Sequence, residues 1–210
     1  MLKIFVIILS CFLSVSPVIA GDESLTNKQK TDAATEHEPF MRQAFKLAMS
    51  AGKNGNHTFG ALLVHQGKVI LTSENTVFTD NDSTRHAEIN LVSKAKREIS
   101  PKVLRQSIIY TSTAPCMFCC SAIWYLGINK VVYGVSYEAF EKLTGHKDNS
   151  IPCNKLYHET DKQLEWIGPI LEEEGLKVYC YWPQESYRPL LLKKLEGCEG
   201  IEKPHNVETR

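Results

Sequence analysis

Three of the chain's seven cysteines fall within residues 116–120, in the run Pro115-Cys116-Met117-Phe118-Cys119-Cys120. Crowding of this kind is a metal or redox spacing and not the scatter of a disulfide framework. Cys116 and Cys119 stand at i and i+3, which puts both on one face of a helix's first turn. A helix N-terminus carries partial positive charge and free N–H groups, so it favours thiolates and lowers their pKa. Upstream, His86-Ala87-Glu88 also opens a helical pattern, with a strand between the two motifs. His86, Cys116 and Cys119 make three ligands of the type zinc takes at a catalytic site, with a fourth position left for water. Zinc bound there brings that water's pKa towards neutrality and favours hydroxide.

Glu88 is two residues from His86, so it does not share that residue's helical face. The spacing predicts a proton shuttle beside the bound water and not a fourth ligand. A rival reading is a structural zinc or redox module in which Cys116, Cys119 and Cys120 hold metal or exchange disulfides. Cys120 points about 100° round the helix from Cys119, a poor direction for a fourth ligand.

Strand and helix patterns alternate along the chain. Pro39 suits the first turn of a helix with Phe40, Ala44, Phe45, Ala48 and Met49 on one face, ending near Gly52. Phe59–Val64 and Val69–Thr72 read as strands turned at Gln66-Gly67. A helix over His86–Arg97 and a buried strand over Ser107–Ser112 follow. Cys116–Leu126 reads as a helix closed by Gly127, Val131–Val135 as a strand, and a helix starts near Glu138. Gly145–Gln163 is irregular, Ile167–Glu174 reads as a short helix, and Leu176–Tyr181 as the last strand. Residues 184–196 read as a final helix before a polar tail. The alternation predicts an α/β sandwich with a mostly parallel sheet after its opening hairpin.

The amino end is of a different character. Lys3, the apolar run Ile4–Val15 broken by Ser10, Cys11 and Ser14, then Pro17 and Val18-Ile19-Ala20, predict a signal peptide over residues 1–20. Its cleavage after Ala20 gives a secreted or periplasmic chain with no membrane span. Residues 21–37 are polar and aperiodic, which predicts a flexible leader. An exported chain exposes its cysteines to oxidant, so Cys153, Cys180 and Cys198 read as core thiols or as a disulfide. Lys and Arg (24) balance Asp and Glu (24), which removes a bulk electrostatic case for binding nucleic acid and favours a small-molecule substrate. His57, His65, His146, His158 and His205 have no spacing partner and read as surface residues.

His86-Ala87-Glu88 followed by Pro115–Cys119 resembles the cytidine deaminase superfamily, over residues 38–182; residues 183–210 remain as a C-terminal helix and tail. Phe59-Gly60-Ala61, Asn75-Thr76-Val77, Tyr110-Thr111-Ser112, Ala122-Ile123-Trp124-Tyr125 and Val131-Val132-Tyr133-Gly134 resemble its guanine deaminase and tRNA adenosine deaminase branch. Ile151-Pro152-Cys153 and Ile167–Glu174 resemble a subgroup of nucleoside deaminases. Ala114 stands where the branch often has Glu, and Thr58 where it often has Pro. The resemblance implies a three-layer α/β/α sandwich with a central five-stranded mixed sheet whose last two strands are parallel. It also implies a zinc cofactor and a homodimer. By matching position, Asn75 would hydrogen-bond a purine edge and Ala87 would offer its backbone to the base. Phe59 and Tyr125 would line the ring; Trp124 shares that role, because Trp124-Tyr125 reverses the order common in the branch.

The expectation is therefore a zinc-dependent hydrolytic deaminase of a free purine base or nucleoside, with guanine or guanosine favoured, releasing ammonia. In that scheme Glu88 moves the protons. The enzyme alternatives are a tRNA adenosine deaminase and a cytosine or cytidine deaminase.

Overall fold

Strand β1 (Gly60–His65) is buried on both sides, and its residues divide by parity between two cores. Leu62 and Val64 pack with Met41, Ala44, Phe45 and Ala48 of helix α1 (Asn27–Lys53). Ala61 and Leu63 pack with Ala87, Leu91 and Ala95 of α2 (Ala87–Glu98). A strand with no solvated face must be apolar throughout, which is why Ala61-Leu62-Leu63-Val64 carries no alternation. Tyr110 and Ile109 of β3 (Ser107–Thr113) divide in the same way, as do Val132 and Val131 of β4 (Lys130–Val135). The computed structural model describes residues 27–145, 153–158, 160, 163–183, 188–198 and 200–201.

With β2 (Lys68–Glu74) and β5 (Glu165–Ile167), the strands run in the order β2-β1-β3-β4-β5. β1 is antiparallel to both β2 and β3, whereas β3, β4 and β5 are mutually parallel. The result is the three-layer α/β/α sandwich with a five-stranded mixed sheet, its last two strands parallel. After the opening hairpin the strands are parallel, as the alternation of elements predicted, and β1 joins them through antiparallel pairing with β3.

The remaining described elements are α3 (Pro101–Leu104), α4 (Met117–Leu126), α5 (Tyr137–Thr144), α6 (Cys153–His158), α7 (Glu172–Leu176), a 3₁₀ turn over Lys177–Tyr181 and α8 (Arg188–Lys194). Gly60 marks where α1 crosses the sheet most closely. A Cβ there would lie 2.6 Å from Ala44 O, Ala48 N and Leu47 Cβ. Gly127 closes α4 in the left-handed region at φ 85°, as its place in the sequence predicted.

Three expectations are corrected. Helix α1 begins at Asn27, inside the segment read as a flexible leader, and Pro39 lies within it and not in its first turn. Lys28, Gln29, Lys30, Ala33, Ala34, Glu36 and Glu38 are good helix formers, and no Gly or Pro stands in 28–38 to stop them. The fifth strand is Glu165–Ile167, not Leu176–Tyr181, where α7 ends at Leu176 and Lys177–Tyr181 winds as a 3₁₀ turn with Val178, Tyr179 and Cys180 all buried. Ile167–Glu174 accordingly contains the end of that strand, and its helix is confined to Glu172–Leu176. Within the stretch read as irregular, α6 forms and is joined to α4 by a Cys120–Cys153 disulfide. The signal peptide, His146, His205 and the end of the tail lie outside the described residues. No helix among the described residues is long and apolar enough to cross a membrane.

This topology opens one end of the sheet. Gly60 pairs with Glu74 and Ala61 with Thr111, so the start of β1 lies beside the ends of β2 and β3. From there the chain leaves β2 towards His86 and leaves β3 towards Cys116.

Candidate metal centre

His86 and Cys116 occupy equivalent places. Each is the N-cap of a helix, in extended conformation, with φ −65° and ψ 154° for His86 and φ −67° and ψ 165° for Cys116. Cys116 thus stands just outside the first helical turn and Cys119 within it. The two helix starts face each other. His86 Nδ1 is 3.6 Å from Cys116 Sγ and 3.5 Å from Cys119 Sγ, and the sulfurs are 3.5 Å apart. Three ligands at zinc bond lengths of about 2.0–2.3 Å in tetrahedral array are separated by roughly 3.5–3.8 Å, so this triangle fits a zinc ion. Among the described residues it is the one group of three or more His, Cys, Asp or Glu side chains close enough to hold a metal.

Glu88 is buried in the first turn of α2, and its Oε2 lies 3.5 Å from Cys119 Sγ. It borders the triangle without belonging to it. Burial lifts its carboxyl to about 7, and negative charge at Cys116 adds to the lift. The two thiols divide one proton between them. The hydrogen bond with Cys119, followed by that with His86, takes Cys116 down to about 4, and the same sulfur–sulfur bond with burial raises Cys119 well above the ordinary thiol range. The pair thus favours a thiolate at Cys116, the state in which a sulfur binds metal.

Asn75 fulfils two roles at once. Its Oδ1 accepts from Val77 N at 3.1 Å, turning the chain out of β2, and its own N–H donates to Phe59 O at 3.0 Å. Its Nδ2 is buried with no hydrogen-bond partner. A buried amide donor without a partner is costly to the fold. Ala87 is fully buried at the start of α2, its methyl in the core.

The three aromatic residues stand in different surroundings. Phe59 packs inward, its ring 5.9 Å from that of Phe140 and 5.8 Å from that of Trp182. Tyr125 is 82% exposed on the outer face of α4, so within one chain it lines nothing. Trp124 faces the segment after α6, where its Nε1 donates to Thr160 Oγ1 at 3.3 Å. Helix periodicity accounts for both: Trp124 follows Cys120 by one turn and shares its α6-facing side, while Tyr125 is rotated away.

Several residues without a sequence signal shape the same end of the sheet. Asn56 Oδ1 accepts from Phe78 N and Thr79 N, both at 3.0 Å, and Asn90 Nδ2 donates to Glu74 O and Thr76 Oγ1, both at 2.9 Å. Together they brace the loop that delivers His86. His57, read as a surface residue, is instead largely buried, stacked on Trp182 at 4.9 Å with an edge contact to Phe78 at 4.8 Å. Burial, with the nearby His86 charge adding, pushes its imidazole down to about 4. A hydrogen-bond clamp or ring stack between residues far apart in sequence leaves no periodic mark, so only the fold reveals them.

Comparison with known proteins places these features in a wider set. The family model for the "Cytidine and deoxycytidylate deaminase zinc-binding region" matches residues 34–135, which contain His86, Glu88, Cys116 and Cys119. A "Probable cytosine deaminase" of Schizosaccharomyces pombe is 30% identical over 156 residues, 70% of this chain and 91% of that one. The "tRNA-specific adenosine deaminase" of Buchnera aphidicola subsp. Schizaphis graminum is 42% identical over 103 residues, covering 49% of this chain and 68% of that one. The guanine deaminase of Bacillus subtilis is 36% identical over 132 residues, 61% of this chain and 80% of that one. Among solved structures, one from a study of A-to-I editing by tRNA:A34 deaminases superposes with a TM-score of 0.56 at 26% identity, covering 67% of this chain and 99% of that one.

Proposed function

The chain belongs to the cytidine deaminase-like superfamily of zinc-dependent hydrolytic deaminases acting on nucleobases or nucleosides, and on that premise we propose that it deaminates a free purine base or nucleoside, guanine or guanosine first. The observation that carries the reading is the His86–Cys116–Cys119 triangle with the Glu88 carboxylate 3.5 Å from one of its corners. In this reading His86, Cys116 and Cys119 hold zinc. Bound zinc supplies a water acidified to near neutrality. Glu88 Oε2 would take one proton from the attacking water and pass it to the ring nitrogen next to the amine-bearing carbon as the C–O bond forms. It would then take the second from the added hydroxyl and pass it to the amine, whose C–N bond breaks to release ammonia. Asn75 Nδ2 meets an acceptor on the base and holds the ring for attack. Glu88 suits this work because burial keeps its carboxyl near 7, where it both takes and gives a proton.

Guanine fits the open Asn75 donor, since its ring carries a carbonyl oxygen and a ring nitrogen besides the scissile amine. A tRNA adenosine is the second reading, favoured by the 42% identity with the Buchnera protein. Against it, the balanced charge offers no surplus of basic residues to neutralise phosphates.

Export belongs to the same proposal. The Cys120–Cys153 and Cys180–Cys198 disulfides support an oxidising compartment, as the amino-terminal pattern does. Pairing into a homodimer is supported by Met117, Phe118 and Tyr125, which expose large apolar surface along α4.

Ammonia release from guanine, guanosine, adenine, cytosine, cytidine and an adenosine-bearing tRNA anticodon stem-loop tests the substrate. Guanine or guanosine is expected to give the highest kcat/KM. Turnover of the stem-loop alone would replace this reading with the second.

A further inference from the structure

The end of the sheet that holds the metal triangle also holds an aromatic frame around one polar ring. His57 lies three residues before β1, whose first residue Gly60 donates its N–H to Ser112 Oγ at 3.1 Å, four residues before Cys116. Phe78 comes from the loop between β2 and His86, and its backbone is pinned by Asn56. Trp182 follows the 3₁₀ turn, which is moored to the same end of β3 by the 2.6 Å Thr113–Tyr179 hydroxyl pair. These segments place Trp182 flat against one face of the His57 imidazole and the Phe78 ring across it at a steep angle, 21° and 73° between planes.

The ring is therefore fixed by packing alone. Neither His57 nitrogen has a hydrogen-bond partner among the described residues, and the residue keeps part of its surface exposed. An imidazole held by its faces, with its polar edge unspent and open, is poised to bond something that enters. A core histidine serving only as filler would normally satisfy that edge with a protein group. Asn75 Nδ2 is a second unpartnered polar group at the same end, buried where Asn75 N donates to the carbonyl of Phe59, two residues after His57. Burial keeps the imidazole neutral at physiological pH, so one ring nitrogen donates and the other accepts.

We propose that His57 is a specificity-determining residue of this deaminase, its open imidazole edge hydrogen-bonding the heterocyclic ring of the bound nucleobase while Trp182 and Phe78 fix the imidazole's orientation. The inference rests on the nucleobase reading above and deepens it. Asn75 and His57 then form two polar anchors on one base. Selectivity follows because a base that leaves either anchor unpaired loses more than one that never needed it.

Two substitutions separate an anchoring role from a packing role. His57→Phe keeps an aromatic ring against Trp182 and removes the polar edge. His57→Gln keeps a polar edge and removes the ring. Ammonia release by the zinc-loaded full chain is measured with guanine, adenine and cytosine, alongside zinc content. For the base the wild type prefers, His57→Phe is expected to raise KM about tenfold with kcat within about twofold, while His57→Gln stays within about threefold of wild-type KM. Packing as the sole role gives the reverse order, with Phe harmless and Gln damaging, and that order would overturn the proposal. If His57→Phe does not fold, the Gln arm decides alone: a tenfold rise in its KM overturns the anchor and a wild-type KM supports it. No ammonia from the wild type on any base would overturn the nucleobase reading and this inference with it. Wild-type turnover with unmoved KM in His57→Phe would overturn this inference only.

Discussion

The Oε2 of Glu88 and the Sγ of Cys119 lie 3.5 Å apart across the gap between the starts of two helices. Glu88 enters from α2 and Cys119 from α4, so the carboxyl proposed to carry protons and one corner of the metal triangle belong to different elements. Their closeness is a product of how the helices dock on the sheet, with the starts of both at one end of it. Glu88 is thereby held next to the metal position but outside the ligand set.

Separating the two roles by substitution follows directly. Glu88→Ala is expected to keep about one zinc per chain and a native melting profile, yet to lose on the order of 10²–10⁴-fold in kcat. Cys116→Ser or His86→Ala is expected to lose the zinc itself. Metal analysis beside ammonia release distinguishes the cases. Zinc lost from Glu88→Ala would make Glu88 a structural partner, and full zinc in Cys116→Ser would remove Cys116 from the ligand set.

Redox behaviour should split the cysteines into two classes. Cys120 is already joined to Cys153, with Cα atoms 5.2 Å apart, although it neighbours Cys119 in sequence. Cys116 and Cys119 remain as thiols 3.5 Å apart. With zinc held by both sulfurs as proposed, a chelator in air should let them form a disulfide and abolish activity, reversibly on adding thiol and zinc. Alkylation followed by peptide mass spectrometry is the measurement. A Cys116–Cys119 disulfide in fully active protein would refute the ligand assignment.

Acid should weaken the fold through His57. Its folded pKa of about 4 is below the unfolded value of 6.5, because burial penalises the charged ring. The stability this gives is whole above pH 6.5 and is lost as the pH falls towards 4, since only the unfolded chain gains the proton readily. Between pH 7 and pH 5 the loss is about 2 kcal/mol. His37, also held low chiefly by burial, loses stability in the same direction and is present in both proteins compared. Urea unfolding of wild type and His57→Phe at the two pH values isolates the His57 share: the variant should lack that part of the decline. Equal declines would show that the imidazole is solvated.

Much of this was legible in residue order. The apolar run Phe59–Val64 announced a strand, Ser107–Ser112 a buried one, and Gly127 the end of α4. The paired motifs gave the metal triangle because each is local and each starts a helix. The carboxyl-terminal third was harder to read. β5 has three residues, too few for a period to show, and its strand character comes from ladders with β4. The alternation in Leu176–Tyr181 imitated a strand, but Val178, Tyr179 and Cys180 are all buried against other elements and Cys180 is tied to Cys198. Disulfide pairing was open for a simpler reason: four cysteines can pair in three ways, and only distance in the fold selects one. His57 and Trp182 illustrate the same limit, since their stacking depends on two chain segments that meet only once the sheet is complete.

The Cys120–Cys153 bond has a consequence for how the chain matures. Synthesis delivers Cys116, Cys119 and Cys120 first, as three adjacent thiols, and Cys153 only 33 residues after Cys120. During that interval nothing occupies Cys120, and the wrong partner is its next-door neighbour. Early zinc capture by Cys116 and Cys119, joined to the His86 already made, would keep Cys120 available for its later mate. Biogenesis then has a preferred order, metal before oxidation, and cells starved of zinc should accumulate mispaired chains and not merely empty ones.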